Sequence, residues 1–204
     1  MAGALSGQNP MASYPRLKDL TRAAQHDGRW DEVAAYLVDV WIDDYARMAA
    51  GTDIVETTDS SFSYLFDIEA ERLLAAWGIS RGRHGGARDA SRMAGHPKAG
   101  GTQYHRGHAI PHTLGGPTDI NLVPQLGSVN IGPFRRLERQ AVATPGAFYF
   151  TYWSYAGSPA VNGYPGQIPT RVDQGLLIFG REPQISHHDN RAPGTDGAGR
   201  PLRT

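Results

Sequence analysis

The chain changes character at Gly78, and that break limits what it can fold into more than any other feature. Residues 1–77 carry 6 Lys/Arg against 13 Asp/Glu, and residues 78–204 carry 14 against 7, so a formal net charge of zero hides −7 followed by +7. Up to the break the apolar residues recur at helical steps. Beyond it, short strand-like runs alternate with turns. At 204 residues there is room for one domain with a sizeable core. A hydrophobic content of 40% with 25 Gly and 14 Pro predicts a folded but loop-rich protein.

Residues 1–14 read as a loose leader. From Arg16 to Ala50, Leu17, Leu20, Ala23 and Ala24, then Trp30, Val33, Leu37, Val38, Trp41 and Tyr45, fall at three- and four-residue steps. This spacing predicts two amphipathic helices broken near His26–Gly28. Asp31, Asp39, Asp43 and Asp44 on the second make either a solvated face or a partner surface. A third helix is predicted over Tyr64–Trp77 from Leu65, Ile68, Leu73, Leu74 and Trp77, ending at Gly78. Residues 15–79 thus read as an acidic helical segment. Residues 80–102 have no hydrophobic period and read as a basic loop, with Arg81, Arg83, Arg88, Arg92 and Lys98, suited to a polyanionic ligand. Strands are predicted at residues 104–112, Ile120–Leu126, Phe148–Tyr155 and Arg171–Phe179, and a helix at Pro133–Val142. The polar tail, 183–204, is expected to be disordered.

No run approaches the roughly 18 apolar residues of a membrane span, and the opening fifteen residues lack the regions of a signal peptide. With no cysteine, disulfides and thiolate metal sites are excluded. The expected location is the cytoplasm, or outside the cell by way of a dedicated export apparatus.

The stretch YHRGHAIPH, residues 104–112, holds three histidines and an arginine, which fits a metal site, a catalytic base or a polar strand end. His108 and His112 have the four-residue spacing of zinc ligands on a helix, but Gly107 and Pro111 oppose a helix there. In an extended chain Arg106, His108 and Ile110 face one way and His105 and Ala109 the other. A neutral imidazole beside a guanidinium suits a phosphate next to a base.

Further residues follow in a specific order: Arg106-Gly107-His108, Asn121, Pro124-Gln125, Asn130, Phe134 and Leu137-Glu138. In this order, over residues 103–140, the chain resembles the DNA/RNA non-specific endonucleases marked by an RGH motif, within the ββα-metal nuclease superfamily. The resemblance implies an α+β fold: a ββα-metal nuclease core with antiparallel strands over residues 80–182, preceded by the N-terminal helical segment. It implies a metal-dependent endonuclease that hydrolyses DNA and/or RNA phosphodiesters with little sequence specificity. His108 would be the general base and Arg106 a catalytic and phosphate-binding residue. One Mg²⁺, with Mn²⁺ as a substitute, would be held by Asn130 and, through water, by Glu138. Arg135, Arg136 and Arg139 are candidates for phosphate contact. Asn121 either buttresses the metal loop or is a turn residue. The family has Asp where this chain has His105, so His105 would support the site through a different hydrogen bond.

Two other readings stand beside this one. HAIPHTLGGPTDINL is also similar to the HNH endonucleases of the same superfamily, although Gly107 occupies a position where they carry an acidic ligand. A non-catalytic nucleic-acid-binding module is the other. The charge split suggests that the acidic helices cover the basic groove or recruit an inhibitor or immunity protein. Nucleases of this kind without a signal peptide resemble delivered toxins or defence effectors.

Overall fold

The computed structural model describes residues 14–49, 52–86, 103–158 and 166–192. The expectations for the leader up to residue 13, the loop from 87 to 102 and the tail from 193 lie outside them. The two expected helices are α1 (Leu17–Asp27) and α2 (Asp31–Ala46), separated by Gly28, which ends α1 in a left-handed conformation with φ +65°. Val33, Leu37, Trp41 and Tyr45 make one buried stripe along α2.

The segment predicted as a third helix is instead an antiparallel meander: β1 (Ile54–Asp59), β2 (Phe62–Asp67) and β3 (Arg72–Ile79). Ile68, assigned to the apolar face of that helix, lies in the β2–β3 turn and is half exposed. β3 pairs antiparallel with β6 (Phe148–Ser154), which pairs with β7 (Arg171–Leu177), which pairs with β8 (Gln184–Asp189). One six-stranded sheet results, in the order β1-β2-β3-β6-β7-β8. The stretch before residue 80 is therefore not purely helical, and the charge break is not a structural boundary among the described residues. β3 is buried from Arg72 to Trp77, and its backbone groups need partners on both edges. β2 and β6 supply them.

The expected disordered tail contributes β8 and, just after it, Asn190. This fully buried side chain accepts from the backbone N–H of Leu126 (2.7 Å) and donates to the carbonyls of Pro124 (3.0 Å) and Pro169 (2.7 Å).

Side chains of the central strands alternate between two layers. One side of the sheet meets α1 and α2: Trp41 lies 5.5 Å from both Trp77 and Phe150 and stacks on Tyr152 at 6.0 Å. There the Tyr14 hydroxyl donates to buried Asp173 (2.8 Å), and the Tyr152 hydroxyl to Asp44 (2.7 Å). The other side carries a second, two-stranded sheet of β4 (Tyr104–His108) and β5 (Leu122–Leu126), then helices α3 (Gly127–Ile131) and α4 (Phe134–Ala143). Phe134, fully buried, joins this layer to the sheet: its ring lies 6.1 Å from Trp153, and its carbonyl accepts from Gln174 Nε2 at 2.9 Å. The architecture is α+β, a ββα unit and a helical pair on opposite faces of one antiparallel sheet.

Candidate active site

Arg106 and His108 are two residues apart on β4, whose register pairs them with Pro124 and Leu122 of β5, so they share one face. Gly107 between them is required by close approach. A Cβ there would lie 2.4 Å from Gln125 Oε1 and 2.5 Å from Gln125 Cβ, and Gln125 is fully buried. The extended chain ends at His108. Ile110 does not continue the arginine–histidine face but is buried in the core.

The turn is built by Asn121. Its Oδ1 accepts from the Ile110 N–H (2.6 Å), and its Nδ2 donates to the carbonyls of Ile110 (2.7 Å) and Pro117 (3.0 Å). Fully buried, it braces the loop that returns β4 into β5 and does not open into the groove. Gly116 passes so close to this clamp that a Cβ would lie 2.0 Å from the Ile110 carbonyl oxygen. Within the loop, a 3-10 turn at His112–Leu114 sets the His112 ring 6.2 Å from that of His108, nearly perpendicular to it.

Asn130 and Glu138 lie on two separate helices. Gly132, at φ −102° and ψ −115°, and Pro133 break the chain between α3, which carries Asn130, and α4, which carries Glu138. Along α4, Phe134, Leu137 and Ala141 face the core. Arg135, Glu138, Arg139, Val142 and Ala143 make an adjacent stripe that walls a groove of about 550 Å³. Arg106 and His108 enter that groove from β4, and Asn130 from α3.

Of the residues expected at the site, the structure thus brings Arg106, His108, Asn130, Arg135, Glu138 and Arg139 together. Arg136 does not line the groove. Its charge is felt by His188, beneath another side of α4, and its expected phosphate contact is not supported by position. His105 sits at the margin, its Nδ1 3.4 Å from Asn130 Nδ2. In the tautomer with Nδ1 unprotonated, the Asn130 amide group donates to it.

Two basic side chains of the groove lie outside the motif and its candidate arginines: Arg83 and His112. The backbone around Arg83 is stitched in place. Ser80 Oγ donates to the Ala141 carbonyl (2.7 Å) and accepts from the Gly82 N–H (3.1 Å), and the His84 N–H donates to the Thr113 carbonyl (2.7 Å). The only signal for Arg83 in the sequence was the positive charge of the 80–102 loop. The groove therefore presents four guanidinium groups and one carboxylate. Beneath α4, Tyr149 is fully buried. Burial, and then the charge of Glu138, hold its hydroxyl pKa well above the usual value.

The donor chemistry fits a hard cation. The carboxamide of Asn130 and the carboxylate of Glu138 offer oxygens to one groove. No group of three or more His, Cys, Asp or Glu placed to hold a metal occurs among the described residues. A cation bound by these two oxygens would complete its shell with water.

Comparison with known proteins bears on the same segment. No curated protein sequence matches the chain. Among solved structures, a chain of the EndoG/EndoGI complex, described as showing the mechanism of EndoG inhibition, aligns with 74% of this chain and 80% of its own. The identity is 14% and the TM-score 0.47. The family model for DNA/RNA non-specific endonucleases matches residues 67–146, a span that contains β3, the β4–β5 hairpin, α3 and α4, and with them every residue of the groove. Over residues 67–146 the chain is thus similar to the DNA/RNA non-specific endonucleases, and it is a nuclease.

Proposed function

We propose that this nuclease hydrolyses phosphodiester bonds of DNA and/or RNA with little sequence preference, using His108 as general base and one divalent cation. One observation carries the reading: Arg106, His108, Asn130 and Glu138, drawn from three separate elements, open into a single arginine-lined groove. His108 takes the proton of the attacking water, the role of a neutral imidazole near physiological pH. Arg106, on the same face of β4, meets the nonbridging phosphate oxygens and stabilises the charge that builds there. Arg135 and Arg139, one turn apart on α4, hold the neighbouring backbone. These contacts reach phosphate rather than base edges, so they orient the strand without reading it.

Asn130 Oδ1 would hold the cation directly, and Glu138 through water. When bound, Mg²⁺, or Mn²⁺ in its place, supplies a Lewis acid for the phosphate and the leaving oxygen. His105 fixes the rotamer of Asn130: with the amide group donating to His105 Nδ1, Oδ1 is the end left for the cation. The hydrogen bond is long, and its contribution is correspondingly small.

The test is cleavage of supercoiled plasmid and of structured RNA with Mg²⁺, with EDTA, and with His108→Ala. Nicking that requires Mg²⁺ and is lost in the variant supports the reading, and the RNA lane defines the substrate range. Wild-type protein that binds both polymers and cuts neither would favour a binding module and sink the catalytic assignment.

Control of the activity belongs to the same proposal. α1 and α2 lie across the sheet from the groove, so their acidic face recruits an inhibitor or immunity protein rather than covering the site. A nuclease so restrained is suited to the role of delivered toxin or defence effector. Growth arrest on expression of the wild type, absent with His108→Ala, is the expected result.

A further inference from the structure

The groove is larger than hydrolysis at a phosphate requires. At about 550 Å³ it falls within the roughly 300–1,000 Å³ of pockets that enclose a whole small molecule. The five non-hydrogen atoms of a phosphate fill only about 150 Å³, even at the ~30 Å³ share of a liquid water each.

The lining of the groove differs along α4. From Glu138, the α4 stripe runs on through Arg139 to Val142 and Ala143, about 7.5 Å along the helix axis. There the wall changes from charged to apolar. Facing it are Arg83, on the backbone stitched to Ala141 and Thr113, and His112 and Thr113 of the 3-10 turn. The His112 ring is flanked by His108 on one side, at 6.2 Å, and by His84 on the other, at 6.3 Å, both nearly perpendicular to it. An apolar stretch of wall, one cation and two hydrogen-bonding side chains thus line the same groove as the residues assigned to the chemistry.

We propose that this end of the groove is a second subsite, which takes the base and sugar of the nucleotide flanking the scissile phosphate. The inference rests on the proposed nuclease reading and extends it from phosphate to nucleoside. Val142 and Ala143 carry the face of the base, and Arg83 meets the next phosphate along the strand. A floor of two aliphatic side chains offers no hydrogen-bond pattern, so it accepts any base by its face, in keeping with cleavage of little sequence preference. To reach the floor the base must leave its stack, so an unpaired strand enters more readily than a duplex.

The test is binding of ligands that the enzyme has no diester to cut. The affinities of thymidine 5′-monophosphate and 2-deoxyribose 5-phosphate are measured by calorimetry, with Mg²⁺ and again in EDTA. The expected result for the wild type is a preference of about tenfold for the nucleotide, from burial of the base. Ala143→Phe fills the floor and brings the ratio close to one. Ala143 is exposed and ends α4, so the larger side chain leaves the core untouched, which a melting curve verifies. A wild-type ratio near one, or a ratio that Ala143→Phe leaves at its original value, overturns the subsite. Because neither ligand is cleaved, this outcome is independent of whether His108→Ala abolishes plasmid nicking, and the two readings fail separately.

Discussion

The two faces of the central sheet use the same strands for opposite ends. On the α1–α2 face, large aromatic side chains close on one another, Trp41 with Trp77, Phe150 and Tyr152, and the Tyr14 hydroxyl among them donates to buried Asp173. On the other face the sheet supports the ββα layer, with Phe134 packed on Trp153 and bonded to Gln174, and that layer opens into a groove lined by arginines. The contrast separates rigidity from chemistry. One face anchors the strands by burying area, and the other can leave charged side chains exposed to a ligand because its platform is held from behind. Alternation along β6 makes the partition sharp: Phe150 and Tyr152 face the helices, while Thr151 and Trp153 contact the ββα layer.

The deepest break in this comparison is a change on the groove face that removes function and leaves stability alone. His108→Ala is expected to lower the rate of plasmid cleavage by about 10²–10⁴-fold, the usual contribution of a general base, with the melting temperature within a few degrees of wild type. Its mirror image is Trp41→Ala on the helical face. Loss of that fully buried ring is expected to destabilise the fold by about 3–5 kcal/mol in a urea titration. Cleavage at low temperature, where the variant is still folded, should stay within about twofold. If Trp41→Ala suppressed cleavage as strongly as it lowers stability, the two faces would not be separable.

The same asymmetry governs what could be read from the sequence. Much of the groove lining was legible because Arg106, His108, Asn130 and Glu138 follow one another in a single ordered run of the sequence, residues 106–138. α1 and α2 were legible because each buries only one stripe. The meander was not. β3 is buried on both faces, so its residues show no alternation, and Leu73, Leu74, Ala75, Ala76 and Trp77 are as compatible with a helix as with a strand. Arg83 was invisible as a groove residue because its position comes from hydrogen bonds to Ala141 and Thr113, some sixty and thirty residues away in the chain. Asn190 belongs to the same class. A polar residue in a polar tail gave no sign that three backbone groups of distant segments would depend on it.

Acid sharpens the comparison further, because the groove face holds a buried histidine under α4. His188 is buried, with its ring 5.5 Å from Phe134, and burial, together with the neighbouring His187, pushes its pKa down from near 6.5 to about 4. The fold holds this imidazole neutral, whereas the unfolded chain takes up a proton as pH falls through 6.5. The stability associated with its neutral form is therefore complete above pH 6.5, declines from there to about pH 4, and is gone below that. The loss amounts to about 3 kcal/mol for a shift of this size. Stability measured at pH 7 and pH 4.5 should converge by about that amount when His188→Gln is compared with wild type. An unchanged pH slope in the variant would remove His188 as the cause. Hydrogen exchange should also show α4 losing protection before α2 as the pH falls.

Asn190→Ala probes the seam between the layers. It leaves the Leu126 N–H and the Pro124 and Pro169 carbonyls without their side-chain partner in a buried setting, at a cost of about 1–3 kcal/mol. Because β5 is the strand affected, the loss is expected to loosen the hairpin that carries His108, and cleavage should fall by severalfold at temperatures where the fold is intact. Stability lost without any change in cleavage would show that β5 is held independently of this residue.

The smallest expected effect tests whether the acidic face communicates with the groove at all. Asp39 and Asp43 on α2 are exposed, and the sheet, with its aromatic layer, lies between them and the arginines. At physiological ionic strength charges more than about 8 Å apart through solvent are largely screened. Replacing both with Asn is therefore expected to change stability by no more than about 0.5 kcal/mol and cleavage by less than twofold. A marked gain in cleavage would mean that the acidic helices restrain the groove through the sheet, and the partition between the two faces would have to be abandoned. Unchanged cleavage, coupled with loss of binding to an inhibitor protein, would place control on the face where the charge is and leave the chemistry wholly on the other.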